Sequence, residues 1–335
     1  MNLIANIRPA NLGPVLMTTW ICAVAGSSIA ASEKIPPYKT GLDQFEFTYE
    51  VELPKLAPKE KGSMWIPVPR SDGVQKVTEV SRDWPKGRGL APFFSVDRLF
   101  KNGVQQITFG PGDKGKIIRW VYRIERKEKA AYPVSEKDLS LYLRSEPLVP
   151  VDEKFKKIAS EVTAGKKSDM ERGRAIYDYV LAQMKYDKTG TGWGRGDAVY
   201  ACDIKTGNCT DFHALFMAVA RSAGIPSRFA IGFTIPTGKD EGAIDGYHCW
   251  AEFLADGKWV PIDISEAWKA PETKDYYFGH QPANRFEISV GRFFDVTPKP
   301  AAGQINFLVH PYLEVDGKVQ KFMGSYRFKR LPAAR

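Results

Sequence analysis

The chain has 335 residues, of which 43% are hydrophobic, 12% aromatic and 26% charged, with a formal net charge of +9. That length supports a buried core without disulfides or metals, and the composition excludes both a disordered chain and a membrane bundle. The positive charge is mixed with acidic residues, as in "KLAPKEKG" and "KDEGA", so it reads as a solvated surface and no nucleic-acid partner is expected.

Residues 1–31 read as a secretory signal peptide. Arg8 is the lone charge before an apolar run from Leu12 to Ala25, and the small residues of "GSSIAAS" follow. The run is shorter than the roughly 20 apolar residues of a spanning helix. Ile21 is too bulky beside Cys22 for a lipoprotein signal. A periplasmic or secreted protein is expected, not an integral membrane protein after cleavage. Three cysteines then remain, Cys202, Cys209 and Cys249. An odd number leaves at least one unpaired within the chain in an oxidising compartment. A Cys202–Cys249 bridge would leave Cys209 free.

From Gln44 to Leu53, "QFEFTYEVEL" alternates apolar and polar residues, the pattern of a half-buried strand. Strand patterns recur at 63–69, 74–80, 104–109 and 117–125, so residues 43–130 are expected to form an all-β sandwich domain. The period then becomes helical, over 152–162 and again after Ser168, which with Glu171 forms a capping box. This opens a second, α+β domain, residues 150–335, with a β-rich C-terminal tail. Between its helices lies "GTGWGRGD" (190–197), which lacks the Lys-Ser/Thr of a phosphate loop and reads as a mobile loop.

The next helix carries the chemistry. Phe212, Leu215, Phe216, Val219, Ala220 and Ala223 make an apolar stripe, so one face is expected to be buried. Asn208 is its N-cap, Asp211 sits at N3, and Gly224 follows its end. Cys209 falls at N1, where free backbone N–H groups and the helix dipole favour a thiolate. Downstream, "HCWAEFLADGKWVPID" reads as a hairpin turning at Asp256–Gly257. That turn sets Trp250 opposite Asp263 and His248 opposite Ser265. His248 and Asp263 become diagonal neighbours, roughly 7–8 Å apart and within side-chain reach. A thiol, an imidazole and an orienting carboxylate are the parts of nucleophilic acyl transfer.

The segments "GNCTDFHALFMAVARSAGIPSRFAIGF", "GYHCWAEF" and "GKWVPIDISEAW" resemble the core of the transglutaminase-like superfamily, particularly its exported bacterial members, over roughly 170–330. The resemblance implies a papain-like arrangement with Cys209 as nucleophile, His248 as general acid and base, and Asp263 as its orienter. It implies a thioester cycle on a peptide or glutamine-type amide, resolved by water or by a second amine. The Cys209 N–H would be one oxyanion donor, with Tyr186 and Trp193 candidates for the second. Trp250 packs the hairpin or walls the cleft. A peptide or protein substrate, in some cases a cell-envelope component, is the expected partner. The rival reading is a non-catalytic envelope-binding protein with a vestigial site.

His213, four residues after Cys209, is a rival base without an evident orienting carboxylate. Zinc held by Cys209, His213, His248 and Cys249 is disfavoured, because adjacent strand residues point to opposite faces. Cys249 therefore reads as a core residue on the face away from the triad, and Glu252 as a solvated rim carboxylate or a substrate contact. His280 and His310 read as structural, and Asn208 and Asp211 as caps alone. No cofactor or metal is implied, and no EF-hand loop is present.

Overall fold

Alternation in the sequence becomes strand wherever one face can be covered. In the computed structural model, which describes residues 41–86 and 90–332, Phe45, Phe47, Tyr49 and Val51 of β1 (Leu42–Glu52) are buried and the intervening residues are not. The leader expected over 1–31 lies outside the described residues. After β1 come β2 (Gly62–Val68), β3 (Gln75–Asp83), β4 (Phe93–Val96), β5 (Gly103–Phe109), β6 (Ile117–Lys127) and the two-residue β7 (Tyr132–Pro133). Helices α1 (Glu153–Val162) and α2 (Asp169–Gln183) follow, α2 with the Ser168–Glu171 capping box. Then come β8 (Lys185–Tyr186), α3 (Ala198–Ile204), β9 (Thr206–Gly207) and α4 (Cys209–Ser222). The remainder is β10 (Ser227–Thr234), β11 (Glu241–Ala243), β12 (His248–Ala255), β13 (Lys258–Ile262), α5 (Ile264–Lys269), β14 (Arg285–Val290), β15 (Tyr312–Val315), β16 (Lys318–Gln320) and β17 (Ser325–Arg330).

Among the described residues these strands form three five-stranded sheets, in the orders β11-β17-β1-β6-β3, β16-β15-β2-β5-β4 and β14-β10-β12-β13-β7. Residues 43–130 do not complete the first two alone. The tail returns, with β17 pairing to β1 and β15 to β2, both antiparallel. Alternation records which side of a strand is covered, not which distant strand completes its ladder. Phe47 of β1 packs on Phe286 and Phe233 of the third sheet, with ring centroids 4.8 and 5.2 Å apart.

The third sheet positions the site. Its hairpin pairs Ala255 with Lys258 and Ala251 with Ile262, the register expected from the turn, and Asp256 and Gly257 both have positive φ. On the other side of β12, Gly232 of β10 pairs with His248. A Cβ at Gly232 would lie 1.8 Å from the Phe286 carbonyl oxygen, so only glycine admits this approach of β10 to β14 beside His248. The Cys249, Ala251 and Phe253 face of β12 packs on α4, whose Phe216 meets Phe253 at 5.8 Å. Helices α1, α2 and α3 cover α4 elsewhere. Every residue from Cys209 to Arg221 is buried, not one stripe as expected. Ala214, Met217 and Ala218 make the helix apolar around most of its girth, which suits a central position.

Candidate active site

Asn208 caps α4 by accepting from Thr210 N, and Asp211 accepts from Asn208 N, leaving Cys209 at the first helical position. Asp211 does more than cap. It also accepts from Gly194 N at 2.7 Å and Gly196 N at 3.0 Å. The glycine-spaced loop is thereby pinned to the tip of α4, contrary to the expected mobile loop. A Cβ at Gly207 would lie 2.5 Å from Asp211 Oδ2, so the approach to α4 also requires its glycine.

Cys209 is 2% exposed, His248 6% and Asp263 0%. His248 Nε2 lies 2.6 Å from Asp263 Oδ2. The carboxylate can only accept, so Nε2 carries a proton, and Nδ1 is the nitrogen left for the hydrogen bond between His248 and Cys209. Asp263 is also the N-cap of α5. Its Oδ1 accepts from Ser265 Oγ at 3.0 Å and Glu266 N at 3.1 Å. One carboxylate thus starts a helix with one oxygen and holds an imidazole with the other.

Charge in this pocket is mutually stabilised. Burial would drive the Asp263 carboxyl up, but the His248 ring, His213 and the buried Arg285, 3.8 Å away, hold it well below the usual carboxylate range. Burial would likewise push His248 down. The Asp263 charge and hydrogen bond, with the Cys209 contact, raise it instead to about 9. The Cys209 thiol is drawn well below the ordinary range by a hydrogen bond from Cys249 and by His248, against its burial. These directions favour a thiolate on Cys209 beside a protonated His248 ring.

Tyr186 of β8 stacks obliquely against Phe212 and Trp268, and Lys269 Nζ sits 4.3 Å from its ring centre. Burial and the Cys209 charge push its phenol up, so it stays protonated. Tyr247 escaped the sequence reading. Its oxygen accepts from Asn208 Nδ2 at 3.1 Å, and burial with the Cys209 and Cys249 sulfurs raises it too. The side chains just before Cys209 and His248 are therefore bonded to each other. Trp193 is not free for an oxyanion, because its indole N–H donates to Gly190 O at 3.2 Å. Trp250 is fully buried with Ala230 and Val290, its ring 6.2 Å from that of His248, so it backs the imidazole and does not wall an open cleft.

The three cysteines among the described residues are free, so no Cys202–Cys249 bridge forms. Cys202 stands on α3 near Lys154, whereas Cys249 lies 3.7 Å from His213 Nδ1. Cys249 does alternate away from Trp250, but its face is the one α4 covers. His248, the first residue of β12, still contacts Cys209 although it alternates with Cys249. His213 binds Cys209 O and Ile264 N, so neither nitrogen is spare to act as a base. Glu252 is no rim residue. It is buried and paired with Lys129 and Arg228, each at 2.8 Å, and accepts from Tyr132 Oη at 2.6 Å. His310 contacts Tyr326 Oη at 2.7 Å, and His280 stacks on Tyr276.

Residues 156–264 match the Transglutaminase-like superfamily. An uncharacterized protein of Haemophilus influenzae is 25% identical over 353 residues, covering 90% of this chain and 94% of that protein. A crystal structure from Cytophaga hutchinsonii, described as a "putative cysteine protease", shares 14% identity with a TM-score of 0.54, over 87% of this chain and 99% of that one. The periplasmic domain of TgpA from Pseudomonas aeruginosa shares 16% identity with a TM-score of 0.38, over 72% and 87%. The Cytophaga comparison shows a shared fold. What these comparisons establish is a transglutaminase-like core at residues 156–264.

Proposed function

We propose that the chain is an exported cysteine-dependent amidase or acyltransferase acting on peptide or glutamine-type amides. The observation that carries this reading is the buried series Cys209, His248 and Asp263, closed by the 2.6 Å contact between ring and carboxylate. The Cys209 thiolate attacks the carbonyl carbon and its π electrons move onto oxygen. As the tetrahedral species collapses, the C–N bond breaks, and the His248 Nδ1 proton passes to the departing nitrogen. A thioester on Cys209 and a free amine or ammonia result. Water or a second amine, deprotonated by the now neutral ring, then cleaves the thioester and restores the thiolate. The oxyanion meets the N–H of Cys209, which as an N1 group lacks an intrahelical partner. The Tyr186 or Tyr247 hydroxyl is the second donor. Export rests on the leader at 1–31. Among the described residues no helix is long and apolar enough to cross a membrane.

Ammonia release from a glutamine-containing peptide, measured beside incorporation of a fluorescent amine into casein, separates hydrolysis from transfer. Hydrolysis is expected to exceed incorporation. His248 must hold its proton for the leaving group, so activity is expected to fall as pH rises through about 9, the value to which Asp263 lifts it. Wild-type protein with neither activity on a panel of such amides would favour the envelope-binding alternative.

A further inference from the structure

His213 lies one turn beyond Cys209 on α4 and is fully buried. The direction of its hydrogen bonds is fixed by their partners. Ile264 N lies 3.1 Å from Nε2, and an amide can only donate, so Nε2 must present a lone pair. Cys209 O lies 2.7 Å from Nδ1, and a carbonyl can only accept, so Nδ1 must carry the proton. Both partners independently require the neutral, Nδ1-protonated ring. Cys249 Sγ packs 3.7 Å from the same Nδ1. The ring therefore bonds the backbone of Cys209 itself, touches the residue after His248, and bonds the residue after Asp263.

From this arrangement we infer that His213 is a positioning residue, a neutral imidazole that holds the strand ends bearing His248 and Asp263 at the tip of α4. Resting on the catalytic reading above, the inference concerns a residue that touches no reacting atom. The charged groups facing the ring are Asp263, whose Oδ1 is 3.8 Å from Nε2, and Cys209 on its own helix, with His248 from β12 opposing them. Burial and His248 disfavour its charging, Asp263 and Cys209 favour it, and the balance lies below the usual histidine value. The neutral state is the one the two hydrogen bonds need. Protonation at Nε2 would set an N–H against the Ile264 N–H and release the start of α5, where Asp263 is the cap.

The test compares the full-length wild type with His213→Phe, His213→Asn and His213→Gln by the pH profile of Cys209 alkylation with iodoacetamide. Phe keeps a ring but neither hydrogen bond. Its expected profile moves up by at least about one unit, and kcat falls about 10- to 100-fold while KM changes less than about threefold, as for misplaced catalytic groups. Gln offers an acceptor that reaches toward Ile264 N and is expected to recover part of the loss. If Phe does not fold, the Asn and Gln variants decide the matter: wild-type profiles in both overturn the inference, and a shift in either supports it. Ring 15N shifts of His213 in wild type give a second readout, expected to report an Nδ1-protonated neutral ring at pH 7. An imidazolium or Nε2-protonated ring would overturn the inference. A wild-type Cys209 that alkylates like a free thiol of about 8.5 would instead overturn the catalytic reading itself, and this positioning role with it.

Discussion

Cys209→Ser is expected to lower amide turnover by at least about 10³-fold while leaving thermal unfolding nearly unchanged. The oxygen is nearly isosteric with sulfur, and residue 209 is packed at the tip of a helix whose caps and neighbours do not change. What changes is the acid. The Cys249 and His248 hydrogen bonds draw the thiol well below its ordinary range. A serine hydroxyl starts far above that range, and the same partners cannot ionise it. An imidazole raised to about 9 keeps its own proton near neutrality, so it is a poor base toward an alcohol. The pocket suits a nucleophile that is ionised beforehand. A serine variant retaining a tenth or more of wild-type ammonia release would contradict the assignment of Cys209.

Glu252→Gln is expected to cost about 3–5 kcal/mol in urea unfolding, the scale of breaking a buried ion pair from one side. The side chain is 1% exposed and bonds Lys129 and Arg228, themselves buried, with Tyr132 Oη on the same oxygen as Arg228. Glu287, 3.1 Å from Lys129 Nζ, and Glu136, 2.7 Å from Arg228 Nη1, remain as partial compensation. The effect also depends on pH. Burial opposes the Glu252 charge, but Lys129 and Arg228 hold its carboxyl far below the ordinary 4.5. A folded-state value depressed in this way adds stability above the unfolded-state pKa of about 4.3, lost progressively as pH falls below it. Wild type should therefore weaken in acid more steeply than the Gln variant. A difference under about 1 kcal/mol at pH 7, or parallel acid profiles, would show that solvent screens the network.

Helix α4 and the β12–β13 hairpin were legible because each has a strong local signal. The helix has caps at both ends and an apolar period, and the hairpin has Asp256–Gly257 with both residues at positive φ. Proximity of His248 to Asp263 follows from that register. Other features lacked a local mark. The strand pattern of β12 separates Cys249 from Trp250 but does not say which face α4 covers, so neither the α4 contact of Cys249 nor the ion pairs of Glu252 can be read from it. Returning strands β15 and β17 find their partners about 250 and about 280 residues earlier, separations no window detects. Helix α5 is only six residues long, although "DISE" carried a usable sign, an Asp cap with Glu three positions on. Tyr247 and Arg285 act through residues distant in sequence, so nothing near them in the chain announced a role.

The central claim is that Cys209 is held as a thiolate by His248 and its Asp263 partner. The ultraviolet absorbance of the thiolate, taken as the difference between wild type and Cys209→Ser below pH 8.5, tests it most directly, because Cys202 cancels in that difference and burial holds the Cys249 thiol well above its ordinary range. A Cys209 signal that persists well below pH 8.5 and moves upward in His248→Ala is the expected result. A single transition near 8.5, unmoved by His248→Ala, would contradict the ion pair on which the chemistry rests.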